Sequence, residues 1–122
     1  MKIKNILIIT LLFTSPYLWA HTGLDYSVPE NGATFNESPK QIVLSFTEPA
    51  KLVKFELIDS DNNVVTTSFK ATFEDHVEYV ISVNELSDDQ YTILWTIMGS
   101  DGHKNEGDFQ FSLEQMPEAK RP

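Results

Sequence analysis

Few groups in this 122-residue sequence are equipped for chemistry, and they lie far apart: His21 near the start, and Asp101-Gly102-His103 late in the chain. A carboxylate and an imidazole two residues apart, in locally extended chain, point to the same side. The glycine between them leaves room for a metal or another backbone to approach. Alone the triplet is a weak sign, because Asp-Gly is first of all a hairpin turn. His21 adds weight to it. It directly follows a segment built like a cleavable export signal: Lys2 and Lys4, then an apolar run over 6–13, then a stretch that ends in the small residue Ala20. Cleavage after Ala20 makes His21 the first residue of the processed chain, where its own amine and a ring nitrogen close a chelate on one metal ion. The apolar run is too short to span a bilayer. The remaining histidine, His76, sits between Asp75 and Val77 at the start of a predicted strand and reads as a surface residue.

What such donors would hold follows from their softness. The chain has no cysteine, so no thiolate ligates or attacks and no disulfide braces the fold. Residues 99–103 carry no phosphate-loop pattern, and no Ser/His/Asp order is present. An amine, two imidazoles and a carboxylate make a tetragonal nitrogen and oxygen set. That set suits Cu(II), which heads the divalent affinity order, while zinc is less well served than at a thiolate site. The nitrogens must be free of protons to bind, so affinity falls on acidification.

The formal net charge is −9, and removal of residues 1–20 takes away two lysines and no acid, which leaves about −11. Nucleic acid and anionic membranes are repelled by such a surface, whereas cations and basic protein faces are attracted. Most of these carboxylates form a solvated face.

The elements that must position the donors read as β throughout. Short apolar or alternating runs recur over 24–28, 42–46, 52–58, 64–69, 77–83, 91–98 and 109–113, each bounded by Gly, Pro, Asn, Asp or Ser. Seven short strands in about a hundred residues predict one sandwich or Greek-key barrel domain. Turn residues fall between them at 29–32, 59–63, 87–89 and 101–102. Period two places Ile42, Leu44 and Phe46 toward the core, and likewise Tyr91, Ile93, Trp95 and Ile97 on a central strand with a buried tryptophan. A helical turn is conceivable only over 84–89. The expected layout is a signal over 1–20, a β domain over 21–114 and a polar, disordered tail over 115–122.

Several of these residues together resemble a family. The run from Trp95 through Asp101-Gly102-His103 to Gly107 and Phe111 is similar to the W…DGH…G…F signature of the CopC family of periplasmic copper-resistance proteins. Ser27-Val28-Pro29-Glu30-Asn31-Gly32-Ala33 resembles that family's S-x-P-x-x-G-A/S segment, and Leu44-Ser45-Phe46-Thr47-Glu48 its L-x-F-[ST]-E strand end. The resemblance implies a seven-stranded Greek-key β-barrel or sandwich, immunoglobulin-like or cupredoxin-like in outline, with one Cu(II) site. The implied ligands are His21, through amine and imidazole, with Asp101 and His103. Glu48 corresponds to a family glutamate near the metal, as a group that orients the amino terminus or as a weak axial ligand. The implied role is a soluble periplasmic copper carrier or buffer in copper homeostasis or resistance, not an enzyme, and the implied exchange partner is an inner-membrane transporter of the CopD type.

The chain departs from family members with a methionine-rich Cu(I) loop. Its methionines, Met1, Met98 and Met116, are scattered, and Met98 reads as part of the sheet. Two other readings compete. An amino-terminal histidine with a second histidine also forms the copper brace of oxidative enzymes, although Asp101 would fill the position an oxygen-activating site leaves open. A β-sandwich interaction module without metal is the other.

Overall fold

A computed structural model of the chain describes residues 23–115. The export signal expected over 1–20, His21, and the tail beyond Gln115 lie outside the described residues. Those residues hold no helix and seven strands: β1 (Leu24–Val28), β2 (Ala33–Phe35), β3 (Gln41–Ile58), β4 (Val64–Val65), β5 (His76–Ser82), β6 (Asp89–Gly99) and β7 (Lys104–Leu113). The all-β, seven-stranded expectation holds, with three differences in how the strands are cut.

The first is β3, which the apolar pattern divides into two strands and the structure runs as one of 18 residues. Its first half pairs antiparallel with β1 and β5, its second half with β6 and β4. The inward parity changes along it: Ile42, Leu44, Phe46, Ala50 and Leu52 are buried, then Phe55 and Leu57. A register shift between Leu52 and Lys54 absorbs the change, as a bulge does when it adds one residue and bends the strand. Both halves therefore present apolar faces to one core. Phe46 from the first half meets Trp95 of β6 edge to face, ring centroids 5.4 Å apart, and each lies in the same buried cluster.

The second difference is β2, three residues that pair parallel with β7. Its segment is too short to show a period. Bonds from Gly32 N–H to Gln110 O at its start and from Glu114 N–H to Phe35 O at its end hold it in place.

A third difference is β4: of the run expected over 64–69 only Val64–Val65 forms strand, and Thr67 makes an isolated bridge to Val83. Ile42, Leu44 and Phe46 are buried, as are Tyr91, Ile93, Trp95 and Ile97 of β6, which lies between β3 and β7. The turn over 59–63 closes as its residues predict: Asp59 Oδ1 accepts the N–H groups of Asp61 and Asn63, each at 2.9 Å. The segment 84–89 forms no helical turn. Its backbone groups are committed elsewhere, Leu86 N–H to Ser38 Oγ and Ser87 O to the Tyr91 hydroxyl, while the Leu86 side chain is buried. Gln115, assigned by composition to the tail, donates its N–H to Asp88 and its side-chain amide to Leu86 O.

Gly107 has a packing reason to be glycine. A Cβ there would stand 2.4 Å from Cζ2 and 2.8 Å from Cε2 of Trp95, which faces it across the β6–β7 ladder. Gly107→Ala is expected to cost about 1–3 kcal/mol, the range for forcing an extra carbon into a packed core. Denaturant unfolding measures this, and an unchanged midpoint would contradict the placement of the indole.

Candidate metal centre

The turn between β6 and β7 is built by its own sequence. Gly102 N–H bonds to Gly99 O at 2.9 Å and Gly99 N–H to His103 O at 3.0 Å, with Gly102 at φ +83°. That left-handed conformation is what a glycine supplies at little cost. Asp101 and His103 are thus brought together by a turn, not by extended chain as the two-residue spacing suggests. Asp101 uses both oxygens: Oδ1 accepts the His103 backbone N–H at 3.0 Å, and Oδ2 lies 3.0 Å from His103 Nδ1. With a proton on Nδ1, the lone pair of the imidazole resides on Nε2, free to ligate. The backbone N–H of His103 is the main cause that holds the Asp101 carboxyl below the usual carboxylate range, and the adjacent imidazole adds to it. Asp101 is accordingly ionised throughout the range in which a metal would bind. Both side chains are open to solvent, His103 most of all at 89% exposed.

Topology decides what else reaches this turn. Residues Val43, Leu44 and Ser45 of β3 pair with β1 and also with β5, so those two strands flank β3 on opposite edges. Ala50 pairs with His76 of β5 and with Gly99 of β6. β6 therefore lies on the edge that β1 occupies further back. The start of β1 and the end of β6 abut on one edge of β3, separated by residues 47–50, a span of about 10 Å at most. Glu48 is exposed within that interval. At its β1 side, Gly23 and Thr47 are joined twice: Thr47 N–H donates to Gly23 O at 2.8 Å, and Gly23 N–H donates to Thr47 Oγ1 at 3.1 Å. His21 precedes Gly23 by two residues, a reach of roughly 7 Å.

The structure thus brings Asp101 and His103 into contact and places Glu48 on the strand edge beside their turn, while His21 lies outside the described residues. Among the described residues no three His, Asp or Glu side chains converge as a metal site. Two donors at an exposed turn fit one side of a coordination sphere. His76 lies on the opposite edge of β3, paired with Ala50 across from Gly99, with Nε2 3.3 Å from Glu74 and its ring edge-on to Tyr79. Thr47 falls at the [ST] position of the L-x-F-[ST]-E resemblance, but nothing in the sequence gives that position a partner. Its hydroxyl acts through tertiary pairing with Gly23, which no local pattern reveals.

Comparison with known proteins bears on the family and the fold. Residues 24–114 match the family model for the CopC domain. The chain is 27% identical over 115 residues to protein YobA of Escherichia coli K12, covering 88% of this chain and 90% of that one, and equally to YobA of Shigella flexneri. Among solved structures it resembles CopC from Methylosinus trichosporium OB3b, with a TM-score of 0.68 and 22% identity over 80% of this chain and 97% of the other. It also resembles PcoC, a methionine-rich copper-resistance protein from Escherichia coli, with a TM-score of 0.64 and 23% identity over 78% of this chain and all of that one. At such identities the structural likeness speaks for the fold.

Proposed function

The chain belongs to the CopC family, and on that premise we propose that it is a periplasmic Cu(II)-binding protein, a carrier or buffer in copper homeostasis or resistance. The observation that carries the reading is the pairing of Asp101 with His103 at an exposed turn on the same β3 edge where β1 leads back to His21. In this reading cleavage after Ala20 exposes the His21 amine, and copper takes that amine, the His21 imidazole, His103 Nε2 and an Asp101 oxygen. Three nitrogens and a carboxylate form the tetragonal set that Cu(II) prefers. Asp101 then exchanges a hydrogen bond to His103 for the ion or keeps it, and in either role it orients the imidazole. Glu48, at the strand edge, orients the amino terminus. Copper is cargo here, and a CopD-type membrane transporter is the exchange partner that the family resemblance implies.

A filled coordination set distinguishes a carrier from an oxygen-activating enzyme, which keeps a position open. The donors are also too hard for Cu(I): the chain has no cysteine, and Met98, partly buried in β6, stands far in sequence from Met1 and Met116. The processed protein is therefore expected to bind one Cu(II) per chain and to loosen it when ascorbate reduces the ion. Equilibrium dialysis before and after reduction checks this. A stable one-to-one Cu(I) complex that survives His21→Ala would reveal a soft site elsewhere. Sustained oxygen-dependent turnover of an organic substrate, lost in His103→Ala, would make the protein an enzyme.

A further inference from the structure

The ladder of β3 with β5 slips between the pair Ser45 with Glu78 and the pair Ala50 with His76: β3 advances from 45 to 50 while β5 advances only from 78 to 76. Extra residues on one strand bend it and disrupt the ladder locally. Glu48 lies on this bulged stretch. Its far end, Ala50, pairs on the other side with Gly99, the residue that closes the β6–β7 turn through its bonds with Gly102 and His103. One side chain spans the slip. Tyr79 pairs with Leu44 ahead of it and packs edge to face on Phe46, ring centroids 6.1 Å apart. Its hydroxyl reaches the far end, where it accepts the Leu52 N–H at 3.2 Å and donates to Ala50 O. Because β5 begins at His76, opposite Ala50, the hydroxyl stands in for the strand that the Leu52 N–H would otherwise meet. Burial pushes the pKa of this hydroxyl up, which keeps the proton that it donates.

We infer that Tyr79 is a positioning residue for the metal-binding turn: its hydroxyl fixes Ala50 and Leu52, and through the pairing of Ala50 with Gly99 it sets the register of the Asp101–His103 turn against the Glu48 stretch of β3. For its effect on copper the inference rests on the Cu(II) reading above, and for its effect on the turn it rests on the bonds within the sheet. Tyr79 itself forms no hydrogen bond to Asp101 or His103. Without its hydroxyl the half-buried Leu52 N–H loses its acceptor, and the bulged stretch gains freedom that Gly99 passes to the turn. Ordering the turn anew when the ion binds is a cost that falls on affinity.

Tyr91 provides a matched control, because its hydroxyl also bonds a backbone carbonyl, that of Ser87 at 2.6 Å, but near the other end of β6. Tyr79→Phe and Tyr91→Phe each keep the ring and its packing and lose one hydroxyl, so both variants fold and both denaturant midpoints fall. Two further measurements on the processed protein separate them. Exchange of the Gly99 amide with solvent, read without copper, should quicken in Tyr79→Phe and stay at the wild-type rate in Tyr91→Phe. Cu(II) competition titration should show affinity lowered about 5-fold in Tyr79→Phe, within the scale of residues that modulate a site without touching its ligand, and unchanged in Tyr91→Phe. Wild-type affinity or wild-type Gly99 exchange in Tyr79→Phe would overturn the inference. Equal losses in Tyr91→Phe would overturn it too, since they mark a general loosening of the fold. Failure of wild type to bind Cu(II) at all would instead overturn the functional reading, leaving the Gly99 exchange to decide the role of Tyr79 alone.

Discussion

A chain that keeps even one residue ahead of His21 is expected to bind Cu(II) at least ~100-fold more weakly than the chain that begins at His21, a loss of ~2.7 kcal/mol or more. The figure is the upper end of what groups that merely orient a ligand are worth, and here a ligand itself is removed. An added residue converts the His21 amine into an amide, which holds its proton and no longer closes a chelate ring with the imidazole. Nothing else in the fold changes, since the extension precedes Gly23 and the ladder of β1 with β3 begins there. Competition titration of the two forms against one chelator gives the ratio directly. Equal affinities would remove the amine from the site.

The second large effect is expected at His103. His103→Ala removes an imidazole whose Nδ1 is engaged by Asp101 and whose Nε2 faces solvent, and it should cost at least ~10-fold in Cu(II) affinity. Asp101→Asn provides a finer comparison. The carboxylate accepts two bonds on two oxygens, from the His103 N–H and toward its Nδ1, but an amide has a single acceptor oxygen. The amide oxygen can keep the His103 N–H, but its NH2 can only donate to Nδ1, which moves the ring proton to Nε2, the nitrogen needed for the metal. Asp101→Asn should therefore weaken copper less than His103→Ala and change the spectrum of what remains bound. His76→Ala, on the other edge of β3, should leave affinity unchanged. Loss of binding in His76→Ala with binding retained in His103→Ala would move the site to β5.

Acid acts on the same turn. The depressed Asp101 carboxyl adds its support above the ordinary carboxylate range, and that support is lost only as pH falls through its lower folded value. Copper leaves earlier, because the nitrogens take up protons first.

Much of this was legible from residues alone, for reasons that differ by element. Ile42, Leu44 and Phe46 alternate because their face of β3 meets the core, while the residues between them, Val43 and the buried Ser45, are not part of the apolar cluster. The Asp59 turn announces itself through a local side-chain bond. By contrast, the fusion of two apolar runs into β3 depends on a bend at residues whose partners come from three other strands, and β2 exists only because β7 offers an edge. The site divides in the same way. Asp101-Gly102-His103 stood out as a triplet, yet the reason its side chains meet is a turn with Gly102 in the left-handed region, and the extended geometry that spacing suggests does not occur. Glu48 and Thr47 were both legible through family resemblance, whereas the bond that the Thr47 hydroxyl accepts comes from a partner 24 residues away in sequence. The nearness of β1's start to the β6–β7 turn is a property of topology, visible only when both strands are seen on one edge of β3.

The central claim, one Cu(II) held jointly by the amino-terminal histidine and the Asp101–His103 turn, is tested most directly by electron paramagnetic resonance of the processed protein titrated with Cu(II). The account predicts a single tetragonal signal that saturates at one copper per chain and shows nitrogen coupling, with that coupling altered in both His21→Ala and His103→Ala. A signal identical in wild type and His103→Ala, or no saturable signal at one equivalent, would contradict it.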